Sequence, residues 1–210
     1  MKILVYDCEI IKAVMPDYAN QAKIEGIEYC EGWHDHSNMG ISVIGTYNNW
    51  TKESIAYVNF DDILPMDKES SWRPLSEFQE LLNQADVLVG FNNQSFDDNL
   101  IKANGFTIPE NILNYDILVE IWKAVGIEPP FVYPTHAGYS LKQTCEANGL
   151  PPKIGDGANA AVQWQRGEHK KVIDYCLNDI KITTELLRKI MNNDGWLVNP
   201  KNKIKLRTFK

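Results

Sequence analysis

Five residues combine types and spacings that could do chemistry. Asp7 and Glu9 stand two positions apart in Asp7-Cys8-Glu9. In an extended segment, period 2 puts both on one face. Two same-face carboxylates repel each other unless a cation lies between them, and an unpaired buried charge is costly. Asp97 closes the stretch Asn92-Asn93-Gln94-Ser95-Phe96-Asp97. There an apolar run ends, a short turn follows and an acid enters the next helix. Tyr175 and Asp179 are four apart and share a helix face. An Asp near the apolar positions Val172, Ile182 and Leu186 has poor helix propensity and poor burial energetics. A metal-ligand role accounts for it. Each residue also has a structural reading: a chance D-x-E, a first-turn acid favoured by the helix dipole for Asp97 or Asp98, and a surface Asp beside Lys181.

The elements that must carry these residues follow from pattern. Residues 2–6 are a short apolar run that predicts a central strand with the two acids at its end. Residues 40–47 and 54–60 predict two more strands, joined by a hairpin loop over 48–52. Residues 11–39, with Pro16, Gly26 and Gly32, are long for a loop and form an insertion between the first two strands. From Pro74 the period changes. Helices are expected over 74–84, 94–104, 116–125, 140–148 and 168–191, and a buried strand over 86–91. Residues 127–139 and 151–157 read as Pro- and Gly-rich loops. The order predicts one α/β domain over 1–210 with a mixed sheet flanked by helices. The basic tail over 198–210 reads as a solvated, frayed terminus, or else as a phosphate contact.

The three pieces together, D-x-E on a first strand, N-x-x-x-F-D after a later strand and Y-x-x-x-D on a last long helix, resemble the DEDD exonuclease superfamily with its ribonuclease H-like fold. The Tyr four before the last Asp matches the DEDDy branch; the His branch wants His five before, where this chain has Asp174. The N-x-x-x-F-D form is most similar to the proofreading exonuclease domains of family B DNA polymerases and their stand-alone relatives. The resemblance covers nearly the whole chain and is weakest over 11–39 and after Met191.

That resemblance implies two-metal hydrolysis of a phosphodiester from the 3′ end of single-stranded DNA. Hard oxygen ligands select Mg²⁺ or Mn²⁺. Two ions ~3.5–4 Å apart would clamp the attacking and leaving oxygens of an in-line displacement. By similarity, Asp7 bridges both ions, Glu9 and Asp179 complete one site, Asp97 acts through water on the second, and Tyr175 orients the attacking water. Ribonuclease D-like RNA trimmers share the pattern, and only contacts to the 2′-OH would separate the two substrates. A non-catalytic nucleic-acid-binding or scaffold module is a third reading. Any polymerase or other replication protein would act in trans, and the 11–39 insertion could serve such a partner.

Asn92, Phe96, Lys142 and Lys153 are candidates for nucleic-acid contact, against core packing for Phe96 and a solvated loop position for Lys153. Asp116 reads as a helix cap or a supporting acid. Cys30, His34, Asp35 and His36 lack the second pair that a zinc site needs, and His136 and His169 lie outside the motifs.

Composition agrees with this picture. Lys and Arg number 21 against 28 Asp and Glu, a net charge of −7. That excludes a generic basic coat for duplex DNA but suits an enzyme whose clustered acids are neutralised by ions. No apolar run approaches the ~18 residues of a membrane span, and Asp7 interrupts the apolar start too early for a signal peptide. Four unpatterned cysteines are too sparse for a disulfide scaffold and fit a reducing cytoplasm, that of a host if the source is viral.

Overall fold

A computed structural model of the chain describes residues 1–15, 23–151, 153, 155, 157–199 and 202–209. Pro16 of the insertion and Lys201 and Lys210 of the tail lie outside the described residues. The first half runs β1 (Ile3–Ile10), β2 (Ala13–Val14), β3 (Tyr29–Cys30), α1 (His36–Met39), β4 (Ile41–Asn48), β5 (Glu53–Val58), β6 (Arg73–Pro74), α2 (Phe78–Leu82), β7 (Val87–Gly90) and α3 (Asp97–Ala103). The second half runs β8 (Leu113–Asp116), α4 (Ile117–Ala124), α5 (Leu141–Ala147), α6 (Gly157–Gln165), α7 (His169–Asn192), β9 (Trp196–Val198) and β10 (Lys203–Lys205). Six strands form one mixed sheet in the order β6-β5-β4-β1-β7-β8. Central β1 is antiparallel to β4 and parallel to β7.

Strand parity decides where the acids point. Leu4, Tyr6, Cys8 and Ile10 share one core with Phe78, Leu88, Leu100 and Ile101. Val5 belongs to the opposite core, with Val89, Tyr115, Ile117 and Ile180. Asp7 and Glu9 continue the parity of Val5, so they face the side covered by α7, which packs across β1 and β4. The buried stripe of α7 includes Val172, Cys176, Ile180, Thr183, Leu186, Leu187 and Ile190. Each large aliphatic in such a stripe stabilises by roughly 1.5–3 kcal/mol when buried. The stripe therefore fixes the rotation of α7, and Asp179 lies within it.

Gly45 makes the close approach possible. It pairs directly with Asp7 across β1 and β4. A Cβ there would sit 2.7 Å from Cys176 Sγ and 3.0 Å from Ile180 Cγ1. No other residue type lets α7 lie so near the strand.

Several elements differ from expectation. The first strand does not end before the acids but continues to Ile10, because antiparallel pairing with β4 runs on through Asp7↔Gly45 and Glu9↔Val43. Parallel pairing with β7 stops at Val5↔Val89, which leaves the far part of β1 open on that side. The 74–84 helix is split into a 3-10 turn, Leu75–Glu77, and the short α2. The helix expected over 94–104 begins only at Asp97, which frees 92–96 as a loop. β8 and α6 were not foreseen. The tail is not frayed over its described part: β9 and β10 pair, Leu197, Ile204 and Leu206 are buried, and Arg207 bonds to Glu120 at 3.1 Å. No helix among the described residues is long and apolar enough to cross a membrane.

Candidate metal centre

Three elements deliver the acids. β1 supplies Asp7 and Glu9, the first turn of α3 supplies Asp97, and α7 supplies Tyr175 and Asp179. Glu9, Asp97 and Asp179 are only 6%, 4% and 2% exposed. Asp97 Oδ1 accepts the Cys8 amide at 2.8 Å. This amide belongs to the part of β1 that has no β7 partner, so the acid replaces a missing strand bond. Its neighbour Asp98 does the anchoring of α3 instead. Asp98 binds the Tyr6 hydroxyl and accepts Asn114 Nδ2 at 2.5 Å.

Asp7, Glu9 and Cys176 each place a ligand atom within 4.8 Å of the others, a buried group that could hold a metal ion. Lys153 reaches in from its loop, with Nζ 2.6 Å from Asp179 Oδ2 and 5.1 Å from the Tyr175 ring centre. Asp179 Oδ1 is buried and has no hydrogen-bond partner among the described residues. All these acids line one cavity of about 160 Å³, with Phe96 and Tyr175. An adjoining cavity of about 580 Å³ shares Asp7, Asn92, Lys153 and Asp179 and continues over Trp122 and Phe131.

Crowding of negative charge in a buried place shapes every titration. Burial, then the charge of Asp179, pushes the Asp7 carboxyl up to about 7, while Lys153 opposes the rise. Burial and the charge of Asp7 also raise Glu9 and Asp97 well above the usual carboxylate range. Burial raises Asp179, and Lys153 pulls it back. Burial works against the charge on Lys153, but Asp179, Asp7 and Glu9 outweigh it and hold the ammonium above its ordinary value. Tyr175 is pushed far upward by burial and then by the charges of Glu9, Asp179 and Asp7. The cluster is thus short of positive charge, and Lys153 supplies only part of it.

The remaining expected residues fall in different places. Asn92 lines both cavities in a left-handed conformation, φ 72°, which Asn tolerates better than most residues. Asp116 holds it there: its carboxylate accepts the Asn92 and Gln94 amides at 2.9 and 3.0 Å while capping α4 through Leu118. Phe96 lines the smaller cavity, its ring against Trp33 and His36. Lys142 is exposed on α5 and lines neither cavity. Lys153 is not a solvated loop lysine but the ion-pair partner of Asp179. Asp35 braces its own turn, accepting the Glu31 amide and Asn38 Nδ2, and the Cys30 thiol faces the Ala13 carbonyl.

No family model and no curated protein matches the chain. Among solved structures it is similar to the family B DNA polymerase from the hyperthermophilic archaeon Pyrobaculum calidifontis, with a TM-score of 0.55. The likeness is one of fold. Sequence identity is 14%, and the match covers 90% of this chain but only 24% of the polymerase. The chain thus spans about a quarter of the polymerase's length, and the fold likeness extends over nine-tenths of the chain.

Two site features were not foreseen from sequence. Cys176 lies beside Asp7, its Sγ 3.6 Å from the Asp7 carbonyl. Its signal was position: it follows Tyr175 and stands three before Asp179, on the same helix turn. Trp33 lies in the insertion, where no periodicity marks it, and lines the cavity that holds the acids.

Proposed function

We propose that the chain is a metal-dependent 3′→5′ exonuclease of the DEDDy type on a ribonuclease H-like sheet, acting on single-stranded DNA. The observation that carries this reading is the convergence of Asp7, Glu9, Asp97 and Asp179, from three elements, on one cavity that also contains Tyr175. The fold likeness to a family B DNA polymerase supports a nucleic-acid role.

The residues fit divalent cations. Among the described residues Asp179 Oδ1 is buried with no hydrogen-bond partner, and Lys153 is an ammonium that faces the clustered acids. Asp7, Glu9, Asp97 and Asp179 would hold two Mg²⁺ or Mn²⁺ ions, which when bound neutralise the phosphodiester and lower the pKa of a bound water. Tyr175 keeps its proton, because burial and the surrounding acids raise its pKa. By similarity its hydroxyl would orient the attacking water. Lys153, which lines the same cavity, would offer its charge to a phosphate oxygen once released from Asp179. The free, buried thiols of Cys8, Cys30, Cys145 and Cys176 suit a reducing compartment such as the cytoplasm. A polymerase or other replication protein is the class of partner this reading implies.

The test is a time course on 5′-labelled single-stranded DNA and RNA oligomers with Mn²⁺, Mg²⁺ or EDTA. An Asp179→Ala protein serves as control. A metal-dependent ladder on DNA, absent from the control, is the expected result. A ladder on RNA alone would move the assignment to an RNA trimmer. No ladder on either, with either metal, would leave a binding module and overturn the proposal.

A further inference from the structure

We infer that Trp33, carried by the 11–39 insertion, is a nucleic-acid-binding residue that stacks on an unpaired base of the strand held at the acid cluster. The inference rests on the nuclease reading of the same cavity.

Trp33 is 53% exposed, although it lines the cavity that contains Asp7, Glu9 and Asp179. Leaving a large apolar side chain in solvent forgoes the stabilisation that burial would give. Here it is not left to wander. The Asp35 amide donates to the Gly32 carbonyl at 3.0 Å, and the Asp35 carboxylate accepts the Glu31 amide at 3.0 Å and Asn38 Nδ2 at 2.7 Å. The turn that displays Trp33 is therefore braced on both sides. It is also tied to the body of the fold. Gln165 Nε2 donates to the carbonyls of Ile11 and Glu28, at 2.8 and 3.0 Å, and Asn104 Nδ2 donates to that of His36 at 3.2 Å. The Trp33 ring meets Phe96 edge-on, centroids 5.8 Å apart, which orients it and leaves much of its surface open.

The surroundings choose the occupant. An apolar peptide or lipid would meet a wall of buried carboxylates. An anion without an apolar part would gain nothing from an indole. A nucleotide carries both parts: a phosphate that cations on the acids attract, and a base whose π-face suits an aromatic ring. Base–aromatic stacking contributes ~1–3 kcal/mol per base and tolerates any sequence. The insertion then has a purpose: it brings an aromatic platform to a cavity otherwise walled by β1, the 91–96 loop with the start of α3, Lys153, the first residue of α6 and α7.

The test crosses Trp33 with the base itself. Wild type, Trp33→Ala and Trp33→Phe are compared on a single-stranded oligonucleotide and on the same strand with abasic sites over its terminal nucleotides. Affinity is read by fluorescence anisotropy in Ca²⁺ without turnover, and KM and kcat are read in Mn²⁺. The expected result is a roughly 5- to 150-fold weaker Kd and higher KM for Trp33→Ala on the normal strand, the stacking energy expressed as a ratio. Trp33→Phe should recover most of it, kcat should change little, and the abasic strand should show no difference. Equal affinity for wild type and Trp33→Ala, or an equal loss on both strands, overturns the inference while leaving the nuclease reading intact. Trp33-dependent binding without cleavage overturns the nuclease reading and keeps the platform. Since Trp33 is half in solvent, an unchanged melting temperature is expected and verifies that the variant is folded.

Discussion

Lys153 Nζ lies 2.6 Å from Asp179 Oδ2, so a loop lysine neutralises the least solvent-exposed acid of the cluster. Breaking a fully buried ion pair costs ~3–5 kcal/mol, because it strands the other charge. The Lys153 side chain is 25% exposed, and solvent screens part of that. Lys153→Ala is therefore expected to destabilise the metal-free protein by about 1–3 kcal/mol. Divalent cations can take over the neutralisation, so the melting-temperature gap to wild type should narrow on adding Mn²⁺. Thermal melts with and without Mn²⁺ decide it. Identical metal-free melting temperatures would show that the ion pair contributes nothing.

The metal-free protein should lose stability as pH rises. Asp7 titrates near 7 in the folded chain, against an ordinary value of 3.8. Between those values the folded chain retains a proton that the unfolded chain has released. The contribution is thus fully present below about 3.8 and is lost as pH rises through about 7. Asp7→Asn, which does not titrate, should reduce the slope between pH 4 and 7, with Glu9 and Asp97 supplying the remainder. Binding of divalent cations must displace that proton, so affinity should tighten over the same window. Melting curves of the dialysed, metal-free protein across this range are the measurement. A flat wild-type profile would contradict the charge crowding described for Asp7.

Much of this arrangement was legible in the sequence, for identifiable reasons. Asp7 and Glu9 share a face because strand period is 2, and Tyr175 and Asp179 because helix period is near 3.6. The extension of β1 past Tyr6 was not legible. Buried acids break the apolar pattern that marks a central strand, and here Gly45 and Asp97 compensate from far along the chain. β8 has only four residues, too few for alternation to register, and its Asp116 doubles as the cap of the following helix. The tail misled through its charges. Lys203 and Lys205 face outward while Ile204 and Leu206 are buried, so the alternation was present but hidden by the basic run. Trp33 could not be placed, because the insertion has no periodicity and its bracing depends on Gln165 and Asn104.

Asp179 and Tyr175 should separate by kinetics. Asp179→Ala, like Asp7→Ala, removes a metal-holding carboxylate and is expected to abolish turnover. Removing Asp7 also relieves repulsion among the acids in the metal-free state, so the metal-free melting temperature of Asp7→Ala should stay the same or rise. Tyr175→Phe keeps the ring under Lys153 and loses only the hydroxyl. Positioned proton and water contacts contribute typically ~10²–10⁴-fold, so a residual rate about 10²-fold below wild type is expected. Initial rates on a labelled oligonucleotide provide the check. Full activity in Asp7→Ala would overturn the site assignment, and full activity in Tyr175→Phe would remove Tyr175 from the mechanism.

Gly45 should prove as important to activity as a residue that touches substrate. In Gly45→Ala the added Cβ meets Cys176 Sγ at 2.7 Å and Ile180 Cγ1 at 3.0 Å, and α7 must move away from β4. Overpacking of this kind typically costs ~1–3 kcal/mol. The displacement also carries Asp179 away from Asp7, and a shift of ~1 Å can cost about 10²-fold in rate. The rate loss should therefore exceed what the fraction unfolded explains. Cys176→Ala removes the nearest clashing atom, so the double variant should be more stable and more active than the two single effects added together predict. Melting temperatures and initial rates for the four proteins of this cycle give the coupling. Strict additivity would mean that Gly45 is required for some reason other than the approach of α7 to the strand that bears Asp7.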